Sequence, residues 1–225
     1  MAEALRVGIA GLGTVGASVA RVLRDKATEL TRQCGREVVV SAVSARDPKR
    51  DRGVDLGAAK WFDDPVAMAQ TAEIDVFVEL IGGDEGPSHS SVKAALEAGR
   101  HVVTANKALL AKHGVALAET AEKKGVLLNY EAAVAGGIPV IKTMREAMAG
   151  NSVTRVFGIL NGTCNYILTR MEAEGLSFDD CLKDAQRLGY AEADPTFDIE
   201  GHDTAHKLSI LTSLAFGTRI AANDI

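Results

Sequence analysis

From Leu5 to about Gly125, short apolar runs alternate with amphipathic stretches. Arg6–Ala10, Glu37–Val43, Asp75–Leu80, His101–Thr104 and Val126–Tyr130 are rich in Val, Ile and Leu with little polar alternation. Such runs predict strands covered on both faces. Between them Val15, Val19, Val22 and Leu23 fall at helical spacing, as do Val92, Ala95 and Leu96, and then Leu109, Val115, Leu117 and Ala118. Strands alternating with helices predict an α/β fold around a parallel sheet. Trp61 and Phe62, followed by Asp63-Asp64-Pro65, read as a packed loop before a helix. His89, His101 and His113 fall on separate predicted elements and are expected to form no cluster.

The pattern changes at the small-residue segment Ala132-Ala133-Val134-Ala135-Gly136-Gly137. Ile138-Pro139 follows, with Pro suited to the first turn of a new helix. Arg155–Leu160 reads as a strand, and Thr163–Ala173, Phe178–Leu188 and Gly201–Phe216 as helices. The expected domain boundary lies near residue 132, separating 1–132 from 133–225.

Composition narrows the class. The 225 residues carry a formal net charge of -5, and their Lys and Arg are scattered. Nucleic-acid binding would need a basic stripe, so it is not expected. Cys34, Cys164 and Cys181 are odd in number and form no C-x-x-C pair, which argues against a disulfide framework or a cysteine-based zinc site. Glu3 and Arg6 interrupt any secretory leader, and no apolar run reaches the length of a membrane span. The expected setting is cytoplasmic.

The first predicted strand runs into Gly11-Leu12-Gly13-Thr14-Val15-Gly16, a G-x-G-x-x-G turn opening a helix. Gly11 permits the tight turn, Gly13 lets the backbone approach a pyrophosphate, and Gly16 lets helix pack on strand. In a strand–turn–helix context this spacing points to NAD or NADP and to a Rossmann-type sheet with helices on both faces. An NAD enzyme usually places Asp or Glu at the end of the second strand. Here the chain reads Val43-Ser44-Ala45-Arg46-Asp47, with Lys49 and Arg50 just beyond. Arg46 favours the 2′-phosphate of NADP. Asp47 leaves NAD open.

The richest chemistry lies between Gly189 and Lys207, where Asp203 and Lys207 stand at i, i+4 on one helix face. A Lys beside carboxylates and partly desolvated can exchange a proton with a substrate hydroxyl. The alternative is an exposed ion pair of little consequence. His202-Asp203-Thr204-Ala205-His206 places two His at i, i+4, as zinc hydrolases do, but such a site would also need a third ligand and an open water position, and Asp203 already has a partner in Lys207. Cys164 offers a rival chemistry, a thiolate attacking an aldehyde as in semialdehyde dehydrogenases.

Four segments carry a family resemblance: the glycine turn, Thr104-Ala105-Asn106-Lys107, Asn161-Gly162-Thr163-Cys164-Asn165-Tyr166-Ile167, and Gly189–Lys207. With them the chain resembles homoserine dehydrogenases over its whole length. The resemblance implies an oxidoreductase interconverting L-homoserine and L-aspartate 4-semialdehyde with NAD(P), on the route to threonine and methionine. It implies that 1–132 binds the nucleotide and that 133–225 is part of an α+β substrate and dimerisation domain. Lys207 corresponds to the proton donor or acceptor, with Asp203 beside it, and Lys107 to a second lysine between nicotinamide and substrate. Glu192 corresponds to the residue binding the substrate ammonium, and Asp198 to a further acidic group. Leu12, Thr14, Val15 and Thr104 join the cofactor site with Arg46 and the three glycines. Glu131, Val134, Gly136 and Ile138 resemble a sodium-binding loop, in which backbone carbonyls and one carboxylate suit a hard cation. The family forms homodimers and its members continue well beyond this length, so a truncated nucleotide-binding module without turnover is also open.

Overall fold

The computed structural model describes residues 2–225, which divide into two compact units, one ending at Ile138 and the other spanning Pro139–Ile225. The first unit runs β1 (Leu5–Ala10), α1 (Thr14–Asp25), α2 (Ala27–Cys34), β2 (Val38–Ser44), β3 (Lys60–Phe62), α3 (Pro65–Thr71), β4 (Val76–Glu79), α4 (Pro87–Glu97), β5 (His101–Thr104), α5 (Lys107–Lys124), β6 (Leu128–Asn129) and the short α6 (Ala132–Ala135). Among the described residues the strands form one parallel sheet in the order β3-β2-β1-β4-β5-β6. This is the Rossmann-type arrangement that the alternating pattern predicts.

The strand order turns at β1, which pairs with β2 on one side and β4 on the other. In open α/β sheets the carboxyl ends of the strands at such a reversal form the ligand crevice. The core explains why these segments are strands. Ile9, Val43, Phe77 and Val102 lie fully buried on adjacent strands, and truncating one such as Phe77 to Ala costs about 3–5 kcal/mol. Helix ends follow local chemistry. Asp64 and Asn106 cap α3 and α5 by accepting from Val66 N–H and Leu109 N–H. Gly125 closes α5 in the left-handed region, which an L side chain enters only at a cost.

Two expectations are corrected here. Trp61 and Phe62 are not loop: they belong to the edge strand β3, with Trp61 in register with Val43. A three-residue strand has too little alternation to be visible in sequence, and β2 supplies its hydrogen bonds. Arg155–Leu160, by contrast, has strand-like composition but is not a strand in the structure. A strand is defined by partners for its N–H and C=O groups, and an apolar pattern alone does not supply them. Phe157 and Ile159 in this stretch are 86% and 77% exposed.

The second unit is helical apart from such extended connections. It contains α7 (Val140–Lys142), a π-helical turn (Thr143–Ala147), α8 (Gly162–Glu174), α9 (Phe178–Leu188), α10 (Thr196–Ile199) and α11 (His202–Phe216). Ile167 of α8 and Cys181 and Ala185 of α9 form its buried cluster with Ala191. Among the described residues no helix is long and apolar enough to cross a membrane.

Candidate functional site

The glycine turn is built by exclusion. Gly11 follows β1 at φ +95° and donates its N–H to Ser44 O at 2.8 Å. A Cβ at Gly11 would stand 2.3 Å from the Leu80 carbonyl oxygen, and one at Gly16 only 1.9 Å from the Gly11 carbonyl oxygen. The backbones of β1, β4 and α1 therefore approach more closely than any side chain allows. Gly13 is different: a Cβ there would meet nothing within 4 Å. Its bareness serves no protein packing and leaves space for a ligand against the backbone. Gly13 is also the N-cap of α1, where no side chain caps the helix among the described residues. The first bond of the helix runs from Ala17 N–H to Gly13 O, so the N–H groups of Thr14, Val15 and Gly16 precede it, and a helix N-terminus of this kind suits an anion. Leu12 is buried beneath the turn.

The carboxyl end of β2 is Ser44, which is buried; Arg46, two residues on, is exposed. Asp47 is turned back into its own loop, its Oδ1 accepting from Lys49 N–H at 2.9 Å. Arg52, which the sequence did not single out, fastens that loop to the glycine turn. It donates Nε to Leu12 O at 3.2 Å and Nη2 to Asp47 O at 2.5 Å, and its guanidinium lies over the Trp61 ring.

At the ends of β4 and β5 a buried carboxylate organises the backbone. Glu79 Oε1 accepts from Ile81 and Gly82 N–H at 2.8 and 3.0 Å, while Oε2 accepts from Thr104 Oγ1 at 2.5 Å. Thr104 Oγ1 in turn accepts from Asn106 N–H, and Asn106 Nδ2 donates to Gly83 O at 2.6 Å. Lys107 is the next residue, half-buried at the start of α5. Glu79 was missed in the sequence, and Asn106 stood within the Thr104–Lys107 segment without an assigned role; for Glu79 a signal was there. The available signal was a charged residue closing an apolar strand, which must find donors when buried.

The second unit brings together three of the predicted residues through a fourth, Asn161, which stood in a matching segment without an assigned role. Asn161 caps α8, its Oδ1 accepting from Cys164 N–H at 2.8 Å. Its Nδ2 donates to Asp198 at 2.8 Å and to Asp203 at 2.9 Å. Thr163 Oγ1 lies 2.9 Å from the other oxygen of Asp198. Lys207 Nζ donates to Asp203 Oδ2 and to Leu160 O, each at 2.8 Å. The Lys207 and Asp203 side chains are 19% and 3% exposed, so this is not a solvated surface pair. A buried carboxylate needs this many donors to offset its lost hydration. An ammonium has three N–H groups. Two are committed here, which leaves one direction for a reacting oxygen.

Glu192 is not drawn into this network. Its carbonyl accepts from Gln186 Nε2 at 3.1 Å and its side chain is exposed. Cys164 lies within the network but is chemically quiet. Burial first, and then the charges of Asp198 and Asp203, push its thiol pKa up, and its Sγ donates to Asp198 O at 3.2 Å. The thiolate needed for covalent aldehyde chemistry is disfavoured, and the semialdehyde dehydrogenase alternative finds no support.

The small-residue loop has a shaped acidic end. Glu131 Oε1 accepts from Gly137 N–H at 2.7 Å, which folds the carboxylate over the Gly136-Gly137 turn. Val134 lies in α6 and is buried, while Gly136 and Ile138 follow it.

One histidine expectation is corrected. His89 and His113 are distant in sequence, yet α4 packs on α5 and stacks their rings at 4.0 Å with 8° between planes. His101 serves the sheet, its Nδ1 accepting from Leu127 N–H at 3.0 Å. His202 lies 3.3 Å from Glu200, and His206 meets the Phe197 ring edge-on.

Comparison with known proteins agrees with this geometry. Residues 11–131 match the family model described as homoserine dehydrogenase, NAD binding domain, and residues 139–225 match the one described as homoserine dehydrogenase. The homoserine dehydrogenase of Pseudomonas aeruginosa is 52% identical over 215 residues, 95% of this chain and 48% of that protein. The crystal structure of a homoserine dehydrogenase from Thiobacillus denitrificans superposes with a TM-score of 0.88 at 48% identity, covering 98% of this chain and 51% of that one. A hyperthermophilic archaeal homoserine dehydrogenase in complex with NADPH gives a TM-score of 0.82 at 27% identity, over 96% of this chain and 71% of that one. The chain spans about half the length of the curated relatives it matches. It belongs to the homoserine dehydrogenase family.

Proposed function

We propose that this chain carries the nucleotide-binding and catalytic residues of an enzyme that interconverts L-homoserine and L-aspartate 4-semialdehyde. In this reading residues 1–132 hold the nucleotide and 133–225 the substrate. The observation that carries it is the Lys207 ammonium, fixed between buried Asp203 and the Leu160 carbonyl with one N–H direction left. Lys207 Nζ gives its proton to the aldehyde oxygen as that oxygen becomes a hydroxyl, and takes it back in the reverse direction. Asp203 holds the lysine in place, and Asn161 holds Asp203. Glu192, with its exposed carboxylate, binds the substrate ammonium. Asp198, already accepting from Asn161 and Thr163, adds its remaining lone pairs. Lys107 acts at the cofactor side, which its place directly after Asn106 supports.

NADP is the cofactor of this reading, and it supplies the hydride acceptor when bound. Gly11, Gly13 and Gly16 with the N–H groups of Thr14 and Val15 would hold its pyrophosphate, over buried Leu12, and Thr104 would line the crevice. Arg46 would meet the 2′-phosphate. The NADPH complex of the archaeal relative and the inward turn of Asp47 support this choice over NAD. Glu131 and the carbonyls of Val134, Gly136 and Ile138 would hold a sodium ion, which would tie the loop after β6. The reading includes a cytoplasmic homodimer acting on small molecules in threonine and methionine biosynthesis; the exposed Phe157 and Ile159 support a protein contact.

The test follows NADP reduction with L-homoserine, in this chain and in a chain extended to the length of its relatives, each with a Lys207→Met control. Turnover that disappears in Lys207→Met supports the reading. Full activity of the Lys207→Met enzyme overturns the mechanism. NADPH binding without turnover in both lengths overturns the activity and leaves a nucleotide-binding module.

A further inference from the structure

Glu85, His89 and His113 meet on the first unit, apart from the residues of the glycine turn and using none of the groups assigned above. Glu85 lies just before α4, His89 stands one turn later at i, i+4, and His113 comes from α5. Glu85 Oε1 is 3.2 Å from His113 Nε2, and Oε2 is 3.8 Å from His89 Nδ1. One ligand atom from each of the three lies within 4.8 Å of the others.

Two imidazoles and a carboxylate are the donor set of borderline dications, zinc above all, with the remaining positions taken by water. Bonds of about 2.0 Å in tetrahedral geometry set ligand atoms about 3.3 Å apart, so the widest gap has to close by roughly 1.5 Å. The side chains have room for that rotation, at 28%, 23% and 56% exposed for His89, His113 and Glu85. A cation already occupies part of the place. Lys112 Nζ sits 2.7 Å from Glu85 Oε1 and 3.0 Å from Asp84 Oδ2. The carboxylates thus hold an ammonium where a dication would carry twice the charge, and the stacked rings stand ready beside it.

We propose that Glu85, His89 and His113 form a binding site for a zinc-type divalent cation, which displaces Lys112 from Glu85. The bound metal ties the Gly82–Gly86 turn to α5. That turn holds Asn106 through the Gly83 carbonyl, so the staple acts next to the cofactor edge of the sheet without entering it.

The experiment titrates the chelator-stripped full chain with zinc alone, in competition with a chromogenic chelator, and repeats it with cobalt to record the visible absorption of the bound ion. The expected result is one equivalent bound at micromolar concentration. His89→Ala and His113→Ala each weaken binding by about tenfold or more, the scale of losing a metal-site ligand or its support. Lys112→Gln strengthens it severalfold, because the competing cation is gone and both carboxylates remain. A His202→Ala/His206→Ala double variant binds as the parent does. Thermal unfolding of each variant without metal identifies any that fails to fold, and Lys112→Gln carries the test should a histidine variant do so. No binding at millimolar zinc overturns the proposal. So does unchanged binding in folded His89→Ala or His113→Ala, weaker binding in Lys112→Gln, or loss of binding in the His202/His206 variant.

Discussion

The glycine turn and the Asn161–Asp203–Lys207 network achieve the same end, a fixed array of polar groups, by opposite means. The turn uses backbone alone and depends on side chains being absent: at Gly11 and Gly16 because backbone lies where a Cβ would go, at Gly13 because nothing does. The network is built mainly from side chains, anchored to backbone at the Leu160 carbonyl and the Cys164 N–H, and depends on burial, since Asp203 is nearly sealed and every partner must be present. A backbone site is robust to what surrounds it and sensitive to one added methyl. A side-chain network is sensitive to each member, because removing one leaves another buried group unpaired.

The largest effect is expected in the network. Lys207→Met should lower kcat by about 10²–10⁴-fold, the usual share of a positioned proton donor, with NADPH affinity unchanged by fluorescence titration. Asn161→Ala is the sharper probe, because it touches no substrate in the proposed reading. It leaves the Asp203 carboxylate one donor short, and kcat should fall while thermal stability falls too, by about 1–3 kcal/mol for a buried group left unsatisfied. Should Asn161→Ala keep full activity, the network is scaffolding only and the contrast with the turn dissolves.

The turn should split by position. Gly16→Ala forces a Cβ into the Gly11 carbonyl, so stability and cofactor binding should be lost together. Gly13→Ala meets no protein atom, so its melting temperature should stay close to the parent's while NADPH affinity falls about tenfold, a difference of about 1.4 kcal/mol. Equal losses of stability in the two variants would show that Gly13 too is there for packing. Arg46→Ala should weaken NADPH several-fold and leave NADH unchanged, measured by the same titration. Equal weakening of both would remove the 2′-phosphate from the argument.

Legibility followed the same division. Glycine spacing is a direct record of backbone geometry, so the turn could be read residue by residue, and the alternating apolar runs showed the parallel sheet except its short edge strand β3. Asp203 and Lys207 were visible because i, i+4 places them on one helix face. Asn161 and Leu160 were not, since what joins them to α11 is a tertiary contact across more than forty positions of chain. The stacking of His89 on His113 was lost for the same reason: each lies on its own helix, and only the packing of α4 on α5 brings them together. Arg155–Leu160 failed in the opposite direction. Its apolar content is real, but a strand also needs a neighbour, and composition is silent about neighbours.

The smallest expected effect supplies the control that the comparison needs. Asp75 accepts from the Arg6 backbone N–H at 2.8 Å and from its guanidinium at 3.1 Å, at the amino end of β1, the opposite end of the strand from Gly11. The Arg6 hydrogen bond holds the Asp75 carboxyl below its ordinary range. A carboxyl whose pKa is lowered by folding contributes stability above its unfolded value of about 3.9 and loses it as pH falls through the folded value. Asp75→Asn should therefore lower the melting temperature slightly at neutral pH, with the difference vanishing in acid below the folded pKa. NADPH affinity at neutral pH should not change. A difference that persists undiminished in acid would mean that the carboxylate's charge is not what matters. Weakened NADPH binding in Asp75→Asn would mean that any loosening of β1 reaches the glycine turn, and the losses in Gly13→Ala could then no longer be assigned to the missing space alone.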